Sequence, residues 1–158
     1  MFVYRIVFKT FSTDLIASGF EGRWNSEGNK VIYAAESIAV AFLENMVRSQ
    51  GVGFNKDYKI MILEIPDKLR VNVVTAEELN PNWRRFNDYS FCQAIGDKWY
   101  NAQTTPVLKV RSSILPEESN FVINATHDDY KRIKIITTTE LMPHPTFEEI
   151  LKRARRRK

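Results

Sequence analysis

The sequence predicts a single α+β domain, and three observations lead there. Short strands rich in β-branched and aromatic residues are spread along the whole chain, an amphipathic helix follows the second of them, and no repeat, linker or shift of composition divides the 158 residues. That length is enough for one hydrophobic core. An apolar content of 44% and a mean hydropathy of −0.33 belong to an ordinary globular chain. The domain is expected to occupy 1–158, with a basic tail at 152–158.

Val3 to Phe8 alternates apolar and polar residues and reads as a strand. A polar, glycine-bearing stretch from Ser18 to Lys30 follows. Val31 to Ala35 is a short apolar run that predicts a buried strand. Ser37 is placed to cap a helix running to about Arg48, with Ile38, Phe42 and Met46 on one face and Gly51 and Gly53 ending it. Tyr58 to Ile65 alternates and is closed by Pro66-Asp67, so it predicts a strand, and Leu69 to Val74 predicts another. Asn80-Pro81-Asn82 is a turn, after which Trp83 to Ile95 reads as a helix stopped by Gly96. Val107 to Val110 and Phe121 to Ile123 read as strands around the loop Ser113 to Asn120. Lys131 to Thr138 is strongly β-branched and predicts a last strand. Thr146 is placed to cap a final helix that runs into the basic end.

The net charge of +4 is concentrated rather than general. Lys152, Arg153, Arg155, Arg156, Arg157 and Lys158 carry it, and without them the body stands near −2. The tail lacks interleaved aromatics or a docking motif, so direct nucleic-acid binding is not expected. It reads as a solvated helix end. No run approaches the roughly 18 to 20 apolar residues of a membrane span, and the N-terminus has no charged n-region or cleavage site. The single cysteine, Cys92, suits a reducing compartment. A cytoplasmic location is therefore expected, with no membrane partner. Assembly into a homo-oligomer is left open by the sequence.

Several chemistries are disfavoured. The only histidines, His127 and His144, have no metal-ligand spacing with Cys92 or with each other, so no metal site is expected. Gly51-Val52-Gly53 lacks the third glycine and the strand–helix order of a dinucleotide or phosphate loop. A Ser112, His127, Asp128 triad has no nucleophile-elbow motif around it. An active site in this chain must be built from arginine, glutamate, aromatics and hydroxyls.

Gly22-Arg23-Trp24-Asn25-Ser26-Glu27-Gly28 is the first candidate. A guanidinium beside an indole in a loop of small polar residues suits a phosphate, which it can grip through two parallel hydrogen bonds. The plainer alternative is a turn in which Arg23 stacks on Trp24 in solvent. Glu44 is the second candidate. It lies just beyond the apolar arc of its helix and has a plainer alternative in an i,i+4 pair with Arg48, worth about 0.3 to 0.5 kcal/mol. Arg5, Tyr33 and Ser112 likewise have ordinary structural readings when taken singly.

Taken in order, these residues resemble the RES family, the toxin half of RES–Xre toxin–antitoxin modules. Arg5 matches the family's arginine in the first strand. Gly22-Arg23-Trp24 and Gly28 match its glycine-arginine-tryptophan loop and downstream glycine. The Val31-Ile32-Tyr33-Ala34 strand and the following helix bring in Tyr33 and Glu44. Ser112 best matches the late serine, and Pro116-Glu117-Glu118, Asn120 and Asn124 follow in the family's order. The resemblance spans roughly Tyr4 to Tyr130. Arg111 stands where the family usually carries proline, which leaves Ser112 and Ser113 as alternatives for the functional serine. Two prolines common in the family are missing from Asn124 to Asp128.

The resemblance implies an ADP-ribosyltransferase-like core, a mixed or antiparallel sheet flanked by helices. It implies NAD+ as substrate with no further cofactor, and cleavage of the nicotinamide–ribose bond by hydrolysis or phosphorolysis. Mono-ADP-ribosylation of a protein target is the alternative, and a non-catalytic binding module is the rival of a different class. Glu44, Arg5 and Ser112 would form the catalytic set. Arg23 would hold the pyrophosphate or a ribose with Arg5, Tyr33 would stack on nicotinamide, and Trp24 and Asn25 would shape the pocket. A cognate Xre-type helix-turn-helix antitoxin is the implied partner.

Overall fold

The computed structural model describes residues 1–49, 57–86, 88–147, 149 and 153. Among them, seven strands form one sheet: β1 (Phe2–Phe8), β2 (Val31–Ala35), β3 (Tyr58–Glu64), β4 (Val71–Val73), β5 (Val107–Arg111), β6 (Ser119–Asn124) and β7 (Lys134–Glu140). Their spatial order is β4-β5-β6-β2-β1-β3-β7, antiparallel throughout except for the parallel pair β4–β5. Two helices, α1 (Ile38–Arg48) and α2 (Ser90–Ala102), accompany the sheet. The predicted α+β class holds.

The join at the middle of the sheet matters most for the site. β1 pairs with β3 along its whole length, and β2 does the same with β6. β1 and β2 are paired in register only at Tyr4 and Ala35. The two halves of the sheet are thus joined through one ladder pair at the β1–β2 seam.

Strand alternation sorts the core. Val3, Val7, Ile32, Ala34, Met61, Leu63, Phe121 and Ile123 pack on one face. The other face carries two clusters. Ile6, Ala35, Val40, Ala41 and Ile60 pack beneath α1. Trp24, Trp83, Cys92, Trp99, Leu108 and Val122 pack with α2.

α1 forms where the sequence predicts it. Ser37 Oγ accepts from the Val40 N–H at 3.2 Å and caps the first turn. The expected stop at Gly51 and Gly53 lies outside the described residues; the C-cap is Ser49. The second helix departs from expectation. Trp83 to Ile95 is not one helix, since α2 starts at Ser90, and Gly96 lies inside it rather than beyond its end. The reason is local. Asn80 accepts from Asn82 N through Oδ1 and from Trp83 N through its carbonyl, closing a turn. The Trp83 carbonyl then accepts from Arg23 Nη1. Asp88 Oδ1 accepts from Ser90 N and Ser90 Oγ and marks the true start.

The last strand also begins later than Lys131. Asp128–Arg132 form a tight 3-10 helix in which His127 Nδ1 accepts from Asp129 N at 3.0 Å. At the C-terminus, Pro145, Thr146 and Phe147 are already helical. His144 rather than Thr146 closes this end, taking the Thr146 N–H on Nδ1 and the Phe147 N–H on its carbonyl. In the basic tail only Arg153 is described, in an i,i+4 pair with Glu149 at 3.8 Å. No described helix is long and apolar enough to cross a membrane.

Candidate active site

Glu44 leaves α1 on the side that faces β5 and β6. Its Oε1 accepts from Ser112 Oγ at 2.8 Å and from Asn120 Nδ2 at 2.6 Å. Oε2 accepts no hydrogen bond among the described residues, and no Glu44–Arg48 ion pair forms there. Ser112 has no exposed surface. Its Oγ donates to Glu44 while accepting from Ile114 N at 3.2 Å and Leu115 N at 3.1 Å, so its hydrogen-bonding capacity is spent. Such a hydroxyl fixes one oxygen of the carboxylate in place. Of the two alternative serines, Ser112 is the one brought to Glu44. The Ser113 carbonyl instead accepts from Arg84 Nε at 2.8 Å.

Register places the remaining groups. Asn120 pairs with Ala35 and Val122 with Tyr33. Tyr33 and Asn120 therefore project from the same face of neighbouring strands, the face α1 covers. The Tyr33 hydroxyl accepts from Trp24 N at 3.0 Å and donates to Asn25 Oδ1 at 2.7 Å. Burial pushes this phenol far above its usual range, so it stays protonated. Anchored at the hydroxyl, the half-buried ring is held still.

Arg5 leaves β1 on the opposite face from Tyr4 and Ile6, directly after the single β1–β2 contact. Its guanidinium is within electrostatic reach of Arg48 on α1 and of Tyr130, which packs on the other face. Burial, and then the like charge of Arg48, pull Arg5 down to about 10, while Tyr130 acts in the opposite sense. It remains a cation at neutral pH. Arg48, one turn along α1 from Glu44, also acts on the Tyr33 hydroxyl, after burial, Trp24, Arg23 and Asp97.

Arg23 sits at the tip of a tight turn closed by Gly22 N to Asn25 O at 2.9 Å. It does not stack on Trp24. Its Nη1 donates to Trp83 O at 2.6 Å and to Arg85 O at 3.2 Å, and its guanidinium carbon lies 4.5 Å from the Tyr89 ring centroid. Trp24, only 2% exposed, packs against Trp83 in the core. Asn25 is fully buried, and its Nδ2 donates to the carbonyls of Phe20, Ser26 and Asn29. Both are internal struts of the loop and present no free side chain to a ligand. Gly28 closes the loop at φ +92°, a left-handed conformation that glycine adopts without strain, and donates to Gly19 O at 2.8 Å.

Two further groups join this arrangement. Asn120, which the sequence offers only as a match in the family's order, shares Glu44's carboxylate oxygen with Ser112. Asp97, to which the sequence assigns no role because the expected helix stops before it, binds the Arg23 loop from α2. Among the described residues no group of His, Cys, Asp and Glu is arranged to hold a metal ion.

Comparison with known proteins bears on this arrangement. The RES domain model matches residues 2–147. Over 115 residues the chain is 36% identical to the Prs ADP-ribosylating toxin of Sphingobium sp. (strain YBL2), covering 72% of this chain and 71% of that protein. It is 28% identical over 135 residues to Toxin Res of Yersinia enterocolitica, covering 83% and 88% respectively. Its fold is similar to a chain of the M. tuberculosis MbcT–MbcA toxin–antitoxin complex, with a TM-score of 0.72 at 19% identity over 96% of this chain and 88% of that one.

Proposed function

The chain belongs to the RES domain family, and from that premise we propose that it is a toxin enzyme that breaks the nicotinamide–ribose bond of NAD+. The observation that carries this reading is the Glu44 carboxylate, with Oε1 fixed by Ser112 and Asn120 and Oε2 free of hydrogen bonds among the described residues, on the sheet face from which Tyr33 also projects. Bond cleavage sends its electron pair to the pyridine nitrogen, and nicotinamide departs neutral. Positive charge develops on the ribose as an oxocarbenium-like state. A preorganised carboxylate near the ribose hydroxyls stabilises that charge at little reorganisation cost. No strong general acid is required, so the scarcity of histidine is no obstacle.

Arg5 would meet the pyrophosphate or the adjacent ribose, and Tyr33 would stack on the departing ring. Arg23 has Nη1 committed to the Trp83 and Arg85 carbonyls and also interacts with the Cys92 thiol, and its remaining donors would face a phosphate. Arg23→Lys keeps the charge but loses the planar fork. It should raise KM for NAD+ roughly tenfold, the scale of one charge-assisted hydrogen bond. Unchanged affinity in a titration with NAD+ would remove Arg23 from the phosphate clamp.

The ribosyl cation is then taken by water, by phosphate or by a side chain of a protein target, with loss of a proton from the acceptor. Depletion of NAD+ by hydrolysis or phosphorolysis is the first of these outcomes. The Prs relative's name, an ADP-ribosylating toxin, favours transfer to protein as the second. Mass spectrometry of products after incubation with NAD+, with and without phosphate, separates them. Free ADP-ribose or its phosphorylated form supports the first, and a mass increment on protein supports the second. Intact NAD+ under all conditions would overturn both. An antitoxin, of the Xre type in RES modules, would be the partner that holds this activity in check, and co-expression with such a protein should relieve growth inhibition.

A further inference from the structure

We propose that Asp97 on α2 is a positioning residue for NAD+ recognition: its carboxylate sets the conformation of the 22–29 loop and thereby the place of Arg23. This role rests on the NAD+ reading above. Asp97 Oδ1 accepts from Ser26 N at 2.9 Å and from Asn29 Nδ2 at 2.7 Å, and Oδ2 accepts from Ser26 Oγ at 2.5 Å. One turn earlier on the same helix face, Gln93 Nε2 donates to Gly22 O at 3.1 Å and Asn25 O at 3.3 Å. Between them Gly96 lies against the Trp24 carbonyl. One face of α2 thus binds the loop from its first glycine to Asn29.

The loop needs such a template. Its own backbone pairing is confined to the isolated Gly22–Asn25 bridge and two turn hydrogen bonds, while Arg23 at its tip must reach carbonyls 60 and 62 positions away. Removing the Asp97 carboxylate leaves three part-buried donors without their acceptor. The loop would then sample other conformations, and a displacement of about 1 Å in a positioning group costs on the order of 10²-fold. Glu44 is held by different elements, through Ser112 at the end of β5 and Asn120 on β6. Loosening the loop should therefore weaken binding and spare the chemical step.

The experiment measures kcat and KM for NAD+ with Asp97→Ala and Asp97→Asn, together with amide hydrogen exchange over residues 22–29. Asp97→Ala should raise KM about 10- to 100-fold with kcat within about threefold, and exchange in the loop should quicken while the 119–124 strand stays protected. Asp97→Asn keeps one acceptor oxygen and should fall between. Should the alanine variant not fold, Asn29→Ala removes one donor from the other side of the cluster and should raise KM about threefold. Unchanged loop exchange, an unchanged KM despite a loosened loop, or a kcat that falls as far as KM rises would each overturn the proposal. If the wild-type protein leaves NAD+ intact, the functional reading fails and NAD+ recognition by the loop fails with it. Loss confined to the Asp97 variants' loop order with normal kinetics sinks this proposal alone.

Discussion

Glu44→Gln is expected to lower turnover about 10²- to 10³-fold while leaving the fold and KM nearly unchanged. Glutamine is close in shape to glutamate, and its carbonyl oxygen can keep both hydrogen bonds from Ser112 and Asn120. What it loses is the negative charge. In water that charge would matter little to a cation several ångströms away, but a partly buried carboxylate with fixed partners is weakly screened and already oriented. A loss in kcat matched by the same loss in kcat/KM is the signature of an interaction made only in the transition state. Steady-state NAD+ consumption by the purified variant measures it, with a circular dichroism melt to establish folding. Turnover equal to the wild type would take Glu44 out of the chemistry.

The second large effect is on stability. Gly96→Ala places a Cβ 1.9 Å from the Trp24 carbonyl oxygen and 2.7 Å from its carbonyl carbon. Helix propensity alone favours alanine over glycine by roughly 0.5 to 1 kcal/mol. The steric term opposes it and is larger, because overpacking costs about 1 to 3 kcal/mol and more where the obstructing atom is backbone. The loop bearing Trp24 is itself tied to Gln93 and Asp97 on the same helix, so α2 cannot retreat without breaking those hydrogen bonds. The net expectation is a destabilisation of at least about 2 kcal/mol, read as a lower midpoint in urea. A variant as stable as the parent would show that α2 and the loop are not in this close contact in solution.

The contact also explains which parts of the chain were readable. β1, β2, α1, β3, β5 and β6 follow signals carried within a few residues: alternation, a Ser37 cap, apolar runs closed by turn residues. The second helix departs from its local signal because Gly96 lies inside it rather than at its end. A mid-helix glycine and a terminal one look alike in sequence, and only the Trp24 carbonyl distinguishes them. The same glycine leaves Asp97 outside the expected helix. Trp24 and Asn25 were legible as members of a loop, yet whether they face a ligand or the core depends on α2, whose seating is tertiary.

The inventory of reactive groups and the local elements that carry them were determined by the sequence alone. Arginine, glutamate, tyrosine and serine stand in a fixed order, with no histidine or cysteine set for metal work. Which of them meet was decided by the tertiary structure. Glu44 has an arginine four residues away, and the local rule offers it an exposed pair worth about 0.3 to 0.5 kcal/mol. It binds instead to Ser112 and Asn120, 68 and 76 positions along the chain. Charge-assisted hydrogen bonds from groups withdrawn from water outweigh a solvated ion pair, and only the packing of α1 over β1 and β2, with β6 paired to β2, brings those groups within reach.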